Sequence, residues 1–308
     1  LTFSPTDLAK AVGQGLLSFP VTFFDDDGAF DEAGYRAHVA RQGVAGAGGL
    51  FAAGGTGEFF SLTLDDYKRV VRAASEEVPE SLPLLAGVGY GTHMAVEFAK
   101  AAEANGADGL LVLPPYLVHS EQEGLRRHLA AICNSVSIGV IAYNRDNAVM
   151  APDTVARVAE ECPNLIGLKD GVGNVELLNA LRYRLDDRLV FIGGMPTAEV
   201  HAAAALAIGM NTYSSAIYNF APQTALQFFD ALHAGRKAEI DDLMRSFFLP
   251  YLAIRNRRAG YAVSIVKAGA RIAGIPCGPV RTPLLDLTRE EEHELAALME
   301  RCGMPVAG

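Results

Sequence analysis

The chain has 308 residues, half of them apolar, enough to bury a sizeable core as one large or two ordinary domains. Its formal net charge of −10 and pI near 5.2 disfavour nucleic acid and anionic membranes as partners. An anionic substrate would then be held by backbone amides, helix N-termini or a few arginines rather than by a general positive field.

Four cysteines (Cys133, Cys162, Cys277, Cys302) form no C-x-x-C pair, and the seven histidines form no H-E-x-x-H or short ligand cluster, so no metal site is expected. Residues 1–13 lack a basic start followed by an apolar core, and no stretch approaches ~20 consecutive apolar residues. A cytoplasmic protein is the expectation.

Apolar runs of strand length recur in chain order at 16–21, 49–53, 84–88, 109–113, 138–143, 165–169, 189–193 and 211–215. Helical patterns lie between them, at 31–44, 64–78, 94–105, 121–133, 152–161, 175–185 and 197–208, most opened by Asp, Thr, Ser or Pro. Continuous apolar strands alternating with amphipathic helices indicate buried parallel strands. No Gly-x-Gly-x-x-Gly follows the first strand, and eight such units favour a closed (β/α)8 TIM barrel over a doubly wound sheet. After Pro222 the pattern is helical only, at 225–234, 238–252, 262–273 and 288–301. The first of these completes the eighth unit. The chain thus divides into a barrel over residues 1–235 and a C-terminal three-helix appendix over 236–308, the last helix opening with the capping box Thr288-Arg289-Glu290-Glu291.

In such a barrel reactive groups sit at the carboxyl ends of strands. The sixth strand ends Leu168-Lys169-Asp170, placing a lysine among apolar neighbours. Desolvated there, its amine would have a lowered pKa and attack a ketone; the alternative is a lysine that caps the strand and reaches solvent. The fifth ends Ala142-Tyr143-Asn144, offering either a proton shuttle or an ordinary aromatic core filler. After the second, Gly54-Gly55-Thr56-Gly57-Glu58 is a candidate cradle of backbone amides for a small anion, or simply a Gly-rich turn. Arg145 and Asn147, beside Tyr143, are candidates for a second carboxylate or plain loop residues.

These three motifs, in this order and spacing, resemble the dihydrodipicolinate synthase / N-acetylneuraminate lyase superfamily of Schiff-base lyases. The resemblance implies Lys169 as the Schiff-base lysine, Tyr143 as proton shuttle with Thr56 beside it, Gly55 and Thr56 as the cradle for a 2-oxo acid carboxylate, no cofactor, and a homotetramer. Within the superfamily, Phe19-Pro20-Val21-Thr22, Pro114-Pro115-Tyr116-Leu117 and the stretches 54–62, 143–148, 169–173, 213–216 and 247–271 resemble the 5-dehydro-4-deoxyglucarate dehydratases. Leu117 stands where the synthases place a tyrosine borrowed from a neighbouring subunit, Ala148 where they place an arginine, and Gly194-Met195 where the sialic acid lyases carry acidic residues. The implied reaction takes a six-carbon keto-diacid to 2,5-dioxopentanoate, CO2 and water, with Ser214, Ser215, Arg145 and Asn147 toward the distal half of the substrate. Two alternatives remain. One is an aldolase that cleaves a 2-oxo-3-deoxy acid to pyruvate and an aldehyde, and the other a non-catalytic small-molecule sensor on the same barrel.

Overall fold

A computed structural model describes residues 2–307. Eight parallel strands, β1 (Leu17–Ser18), β2 (Gly49–Ala52), β3 (Leu84–Val88), β4 (Gly109–Val112), β5 (Gly139–Asn144), β6 (Leu165–Asp170), β7 (Val190–Gly193) and β8 (Thr212–Ser215), close into a barrel in sequence order, with β8 pairing to β1. Before β1 comes α1 (Pro5–Val12), and after the strands come α2 (Glu32–Val44), α3 (Leu64–Glu77), α4 (Thr92–Ala104), α5 (Gln122–Cys133), α6 (Pro152–Glu161), α7 (Val175–Leu185), α8 (Glu199–Ala207) and α9 (Pro222–His233). The predicted barrel is therefore present. No helix among the described residues is long and apolar enough to cross a membrane.

Strand alternation sorts the core into two clusters. Leu17, Phe51, Leu85, Leu111, Ile141 and Ile192 meet on the barrel axis, whereas Leu16, Leu50, Leu84, Leu110 and Val140 face the helices. No element is expected before residue 16 from the apolar pattern, yet Ser4 caps α1 by accepting from the Asp7 amide at 3.2 Å. Leu8 and Val12 of that helix join the axial cluster, and α1 packs on β5 and β6. It covers the amino-terminal end of the barrel, the end opposite the site.

β1 is shorter than the predicted 16–21 because Pro20 has no amide to donate. The Asn219 carboxamide replaces the missing ladder. It accepts from the Val21 amide at 2.9 Å and donates to the Phe19 carbonyl at 3.0 Å. Gln42 and His38 on α2 bond the same Asn219 oxygen at 2.8 and 3.0 Å, and Ser18 donates to Gln42 at 2.7 Å. Burial pushes the His38 imidazole down to about 4, so it is neutral in this network.

The predicted helix 238–252 is two helices, α10 (Lys237–Leu243) and α11 (Leu249–Arg255), separated by a π-helical stretch Met244–Phe248. Pro250 lies in the first turn of α11 and cannot supply the amide of a continuous ladder. The wider turn ahead of it absorbs that loss. α12 (Tyr261–Ile272) and α13 (Arg289–Arg301) follow, the latter with the anticipated Thr288–Glu291 capping box.

The appendix is fastened to the loop after β2 by an ion pair with no solvent exposure. Lys267 Nζ of α12 lies 2.7 Å from Glu58 Oε1. The Arg281 amide donates to Glu58 Oε2 at 2.9 Å, and Lys267 also donates to the Pro279 carbonyl at 2.7 Å. Replacing one partner strands the other charge in the core, which costs about 3–5 kcal/mol. Glu58→Gln and Lys267→Met should each lower the unfolding free energy from denaturant titration by that order, whereas the double variant should recover much of the loss.

Candidate active site

One cavity of about 450 Å³ opens at the carboxyl ends of the strands, and Lys169, Tyr143, Gly55, Thr56, Arg145, Asn147 and Ser214 all line it. The side chains arrive there through strand register. β6 carries one extra residue relative to β5, because Val140 pairs with Leu165 and Ile141 with Gly167. This bulge at Ile166 resets the alternation. Both Ile166 and Ile141 lie in the axial cluster while Leu165 and Leu168 lie in the outer one, so Lys169 pairs with Tyr143 and points inward with it.

Lys169 is only 4% exposed. Its Nζ lies 4.2 Å from the centroid of the Tyr143 ring and 5.0 Å from that of Phe19, which stacks on Phe51 at 4.6 Å. Among the described residues no carboxylate comes within ion-pair distance of it. Burial therefore drives the amine below the ordinary lysine range, against the opposing pull of the Tyr143 phenol. The Tyr143 hydroxyl donates to the Gly194 carbonyl at 2.7 Å and accepts from Arg145 at 3.1 Å. Burial would raise this phenol, but the charges of Lys169 and Arg145 outweigh it and the net direction is down. Both groups are thus pulled below their ordinary ranges and lie against one another, an arrangement suited to proton exchange.

Close packing leaves no room for side chains around this pair. A Cβ on Gly194 would lie 2.7 Å from Lys169 Nζ, and one on Gly171 would lie 2.9 Å from the Tyr143 hydroxyl. Across the cavity, a Cβ on Gly55 would meet nothing within 4 Å. Gly54 and Gly55 give up their carbonyls to the Phe59 and Glu58 amides. The amides of Gly55 and Thr56 donate to no other described residue, which leaves them for an anion.

The remaining candidates separate. Ser214 faces the cavity, but Ser215 is fully buried on the other side of β8 and donates to Glu199 of α8. One-residue alternation decides this, since β8 pairs Ser214 with inward Leu17 and Ser215 with outward Ser18. Ser215 is thus not a cavity residue. Asn147 lines the cavity but donates to the carbonyls of Pro115 (2.9 Å) and Val118, holding the loop over 114–118. Arg145 is also paired with Asp146 at 3.2 Å. The strand-end rule misses other lining residues, among them Thr197, Tyr251 and Arg255. The last two stand four apart on α11, so a shared helical face within the stretch 247–271 was the available signal.

The chain was compared with known proteins. The model of the dihydrodipicolinate synthetase family matches residues 13–302. A probable 5-dehydro-4-deoxyglucarate dehydratase of Rhizobium rhizogenes is 56% identical over 96% of this chain and 98% of its own length. One from Saccharopolyspora erythraea is 54% identical over 100% and 99%. Dihydrodipicolinate synthase from Oceanobacillus iheyensis superposes with a TM-score of 0.89 at 23% identity, covering 97% of this chain and 99% of that one. A prophage protein of Escherichia coli K12, solved in complex with pyruvate and belonging to the dihydrodipicolinic acid synthase family, gives 0.84 at 26% identity over 94% and 98%. With its closed barrel, buried lysine and strand-end tyrosine, this chain belongs to the dihydrodipicolinate synthetase family.

Proposed function

We propose that this chain is a decarboxylating 5-dehydro-4-deoxyglucarate dehydratase acting through a Schiff base on Lys169. The observation that carries the mechanism is the burial of that amine against Tyr143 and Phe19, with no carboxylate of the described residues within ion-pair distance. The relatives at 56% and 54% identity over nearly the whole chain point to the substrate.

The substrate has carboxylate C1, ketone C2, methylene C3, hydroxyls on C4 and C5, and carboxylate C6. Gly55 and Thr56 hold C1 by amides and a hydroxyl. Lys169 attacks C2, the carbonyl oxygen leaves as water, and the resulting protonated imine acidifies C3. Tyr143, polarised by Arg145, carries protons in these steps and takes the C3 proton. The enamine expels the C4 hydroxyl as water. The imine is now conjugated with the C3–C4 double bond, so the C5–C6 bond breaks to give CO2 and its electron pair moves through C4 and C3 to nitrogen. Protonation at C3, tautomerisation of the C5 enol and hydrolysis by one water release 2,5-dioxopentanoate and restore the amine. The iminium is the electron sink throughout, so the scheme calls on neither a metal nor an organic cofactor. Ser214, with Arg145 and Asn147, lies toward the distal half. The exposed side chains of Tyr116 and Leu117 at the cavity rim, with exposed Val118 following them, suit a homo-oligomer, in keeping with a tetrameric assembly.

Borohydride added with substrate or pyruvate should fix mass on the peptide containing Lys169, read by mass spectrometry. Labelling of another lysine, or none, refutes the imine. Because the nucleophile is the neutral amine, imine formation should rise with pH along an ionisation below the ordinary lysine value, the limb falling as pH drops and Lys169 is protonated. Tyr143→Phe should keep the fold and lose ~100-fold in kcat; unchanged turnover would move the shuttle to another group. Substrate carrying carbon-13 at C6 should release labelled CO2 with one 2,5-dioxopentanoate per turnover. An analogue without the C4 hydroxyl should form the imine and keep its CO2, since a saturated C4 insulates C6 from the sink. Pyruvate with a three-carbon aldehyde as products would mark an aldolase instead.

A further inference from the structure

We infer that Arg255, contributed by the C-terminal appendix, is the residue that recognises the distal carboxylate of the substrate. The inference rests on the diacid proposed above and names the group that reads its second charge.

Arg255 lines the cavity from α11 on the same helical face as Tyr251. Other partly buried arginines of this chain meet acids: Arg126 pairs with Glu123 and Glu161, Arg271 with Asp286 and Glu292, and Arg281 with Asp66. Arg255 meets none within 4.0 Å among the described residues. Its guanidinium is held instead by neutral acceptors, at 2.7 Å by Thr197 Oγ1 and at 3.1 and 2.9 Å by Asn256 Oδ1. Three of its five N–H groups are therefore fixed, and two remain for a ligand. Burial pulls the guanidinium pKa down, the direction expected of a desolvated cation without a counter-ion. Glu199 acts on it only from beyond ion-pair distance. That carboxyl is buried, bonded to Ser215 and raised to about 7, so it is a weak neutraliser near neutral pH.

Arg145 is the competing cation, and its setting differs. It is already paired with Asp146 at 3.2 Å and bonded to the Tyr143 hydroxyl at 3.1 Å, where it serves the phenol. With C1 on the Gly55–Thr56 amides and C2 on Lys169, the rest of the substrate occupies the same cavity, part of whose wall is the β7–α8 loop and α11. Arg255 stands in that wall, oriented by Thr197 of the same loop and carrying an unmatched positive charge. A carboxylate there forms charge-assisted hydrogen bonds with a preorganised fork.

The test is borohydride trapping on Lys169 at graded concentrations of three ligands: the keto-diacid, its counterpart with an alcohol at C6, and pyruvate. In Arg255→Gln the diacid concentration for half-maximal trapping should rise ~10- to 100-fold, the worth of a hydrogen bond to a charged group. The alcohol and pyruvate should trap as in wild type, and Arg255→Lys should recover part of the loss. Unchanged diacid trapping, equal losses for all three ligands, or a diacid-specific loss seen only in Arg145→Gln would each overturn the assignment. Trapping needs imine formation alone, so the result can be read whether or not CO2 is released, and failure of the proposed reaction is a separate outcome.

Discussion

The cavity is organised around one buried amine, that of Lys169, whose pKa burial pulls down. A carboxylate in contact with a buried ammonium offsets part of its desolvation, and two buried lysines of this chain differ in whether they have one. Lys267 is fully buried in an ion pair with Glu58 at 2.7 Å, which opposes the downward pull of burial on its pKa. Lys169 is nearly as buried but faces aromatic rings. The two differ in partner more than in depth.

The same contrast applies to the arginines. Arg145 is matched by Asp146 and bonded to the Tyr143 oxygen, and its charge helps pull the phenol pKa down. Arg255 is held only by neutral acceptors and keeps its charge available to the cavity. The cavity of this acidic protein thus presents the Gly55 and Thr56 amides on one side and, on α11, a guanidinium with no acid within 4.0 Å among the described residues. The appendix contributes to both. Its Lys267 fixes Glu58 at the end of the Gly54–Glu58 loop, while α11 brings Arg255 to the opposite wall.

Much of the architecture was legible because barrel strands are buried on both faces and read as continuous apolar runs. The positions of Lys169 and Tyr143 followed from asking which residues interrupt those runs at their carboxyl ends. Features carried by side chains distant in sequence were not legible. The Asn219 carboxamide stands in for a strand partner of Phe19 and Val21, and no local pattern announces that role. Helix α1 is short, and its Leu8 and Val12 make sense only once there is a barrel end for them to cover. The break between α10 and α11 was signalled by Pro250, but an apolar pattern continuing across it masked the signal.

The sequence by itself determined the order of strands and helices, the inventory of chemistry-bearing residues and the loops where they fall, because these depend on local periodicity and composition. Only the tertiary structure decided which way those residues face. A strand offers two faces, and one inserted residue exchanges them: the bulge at Ile166 turns Lys169 onto the axis beside Tyr143, and the undisturbed register of β8 turns Ser215 away from the cavity while leaving Ser214 in it. The unmatched charge of Arg255 is likewise a tertiary fact, because whether a carboxylate lies within reach depends on every element packed around the arginine and not on its neighbours in the chain.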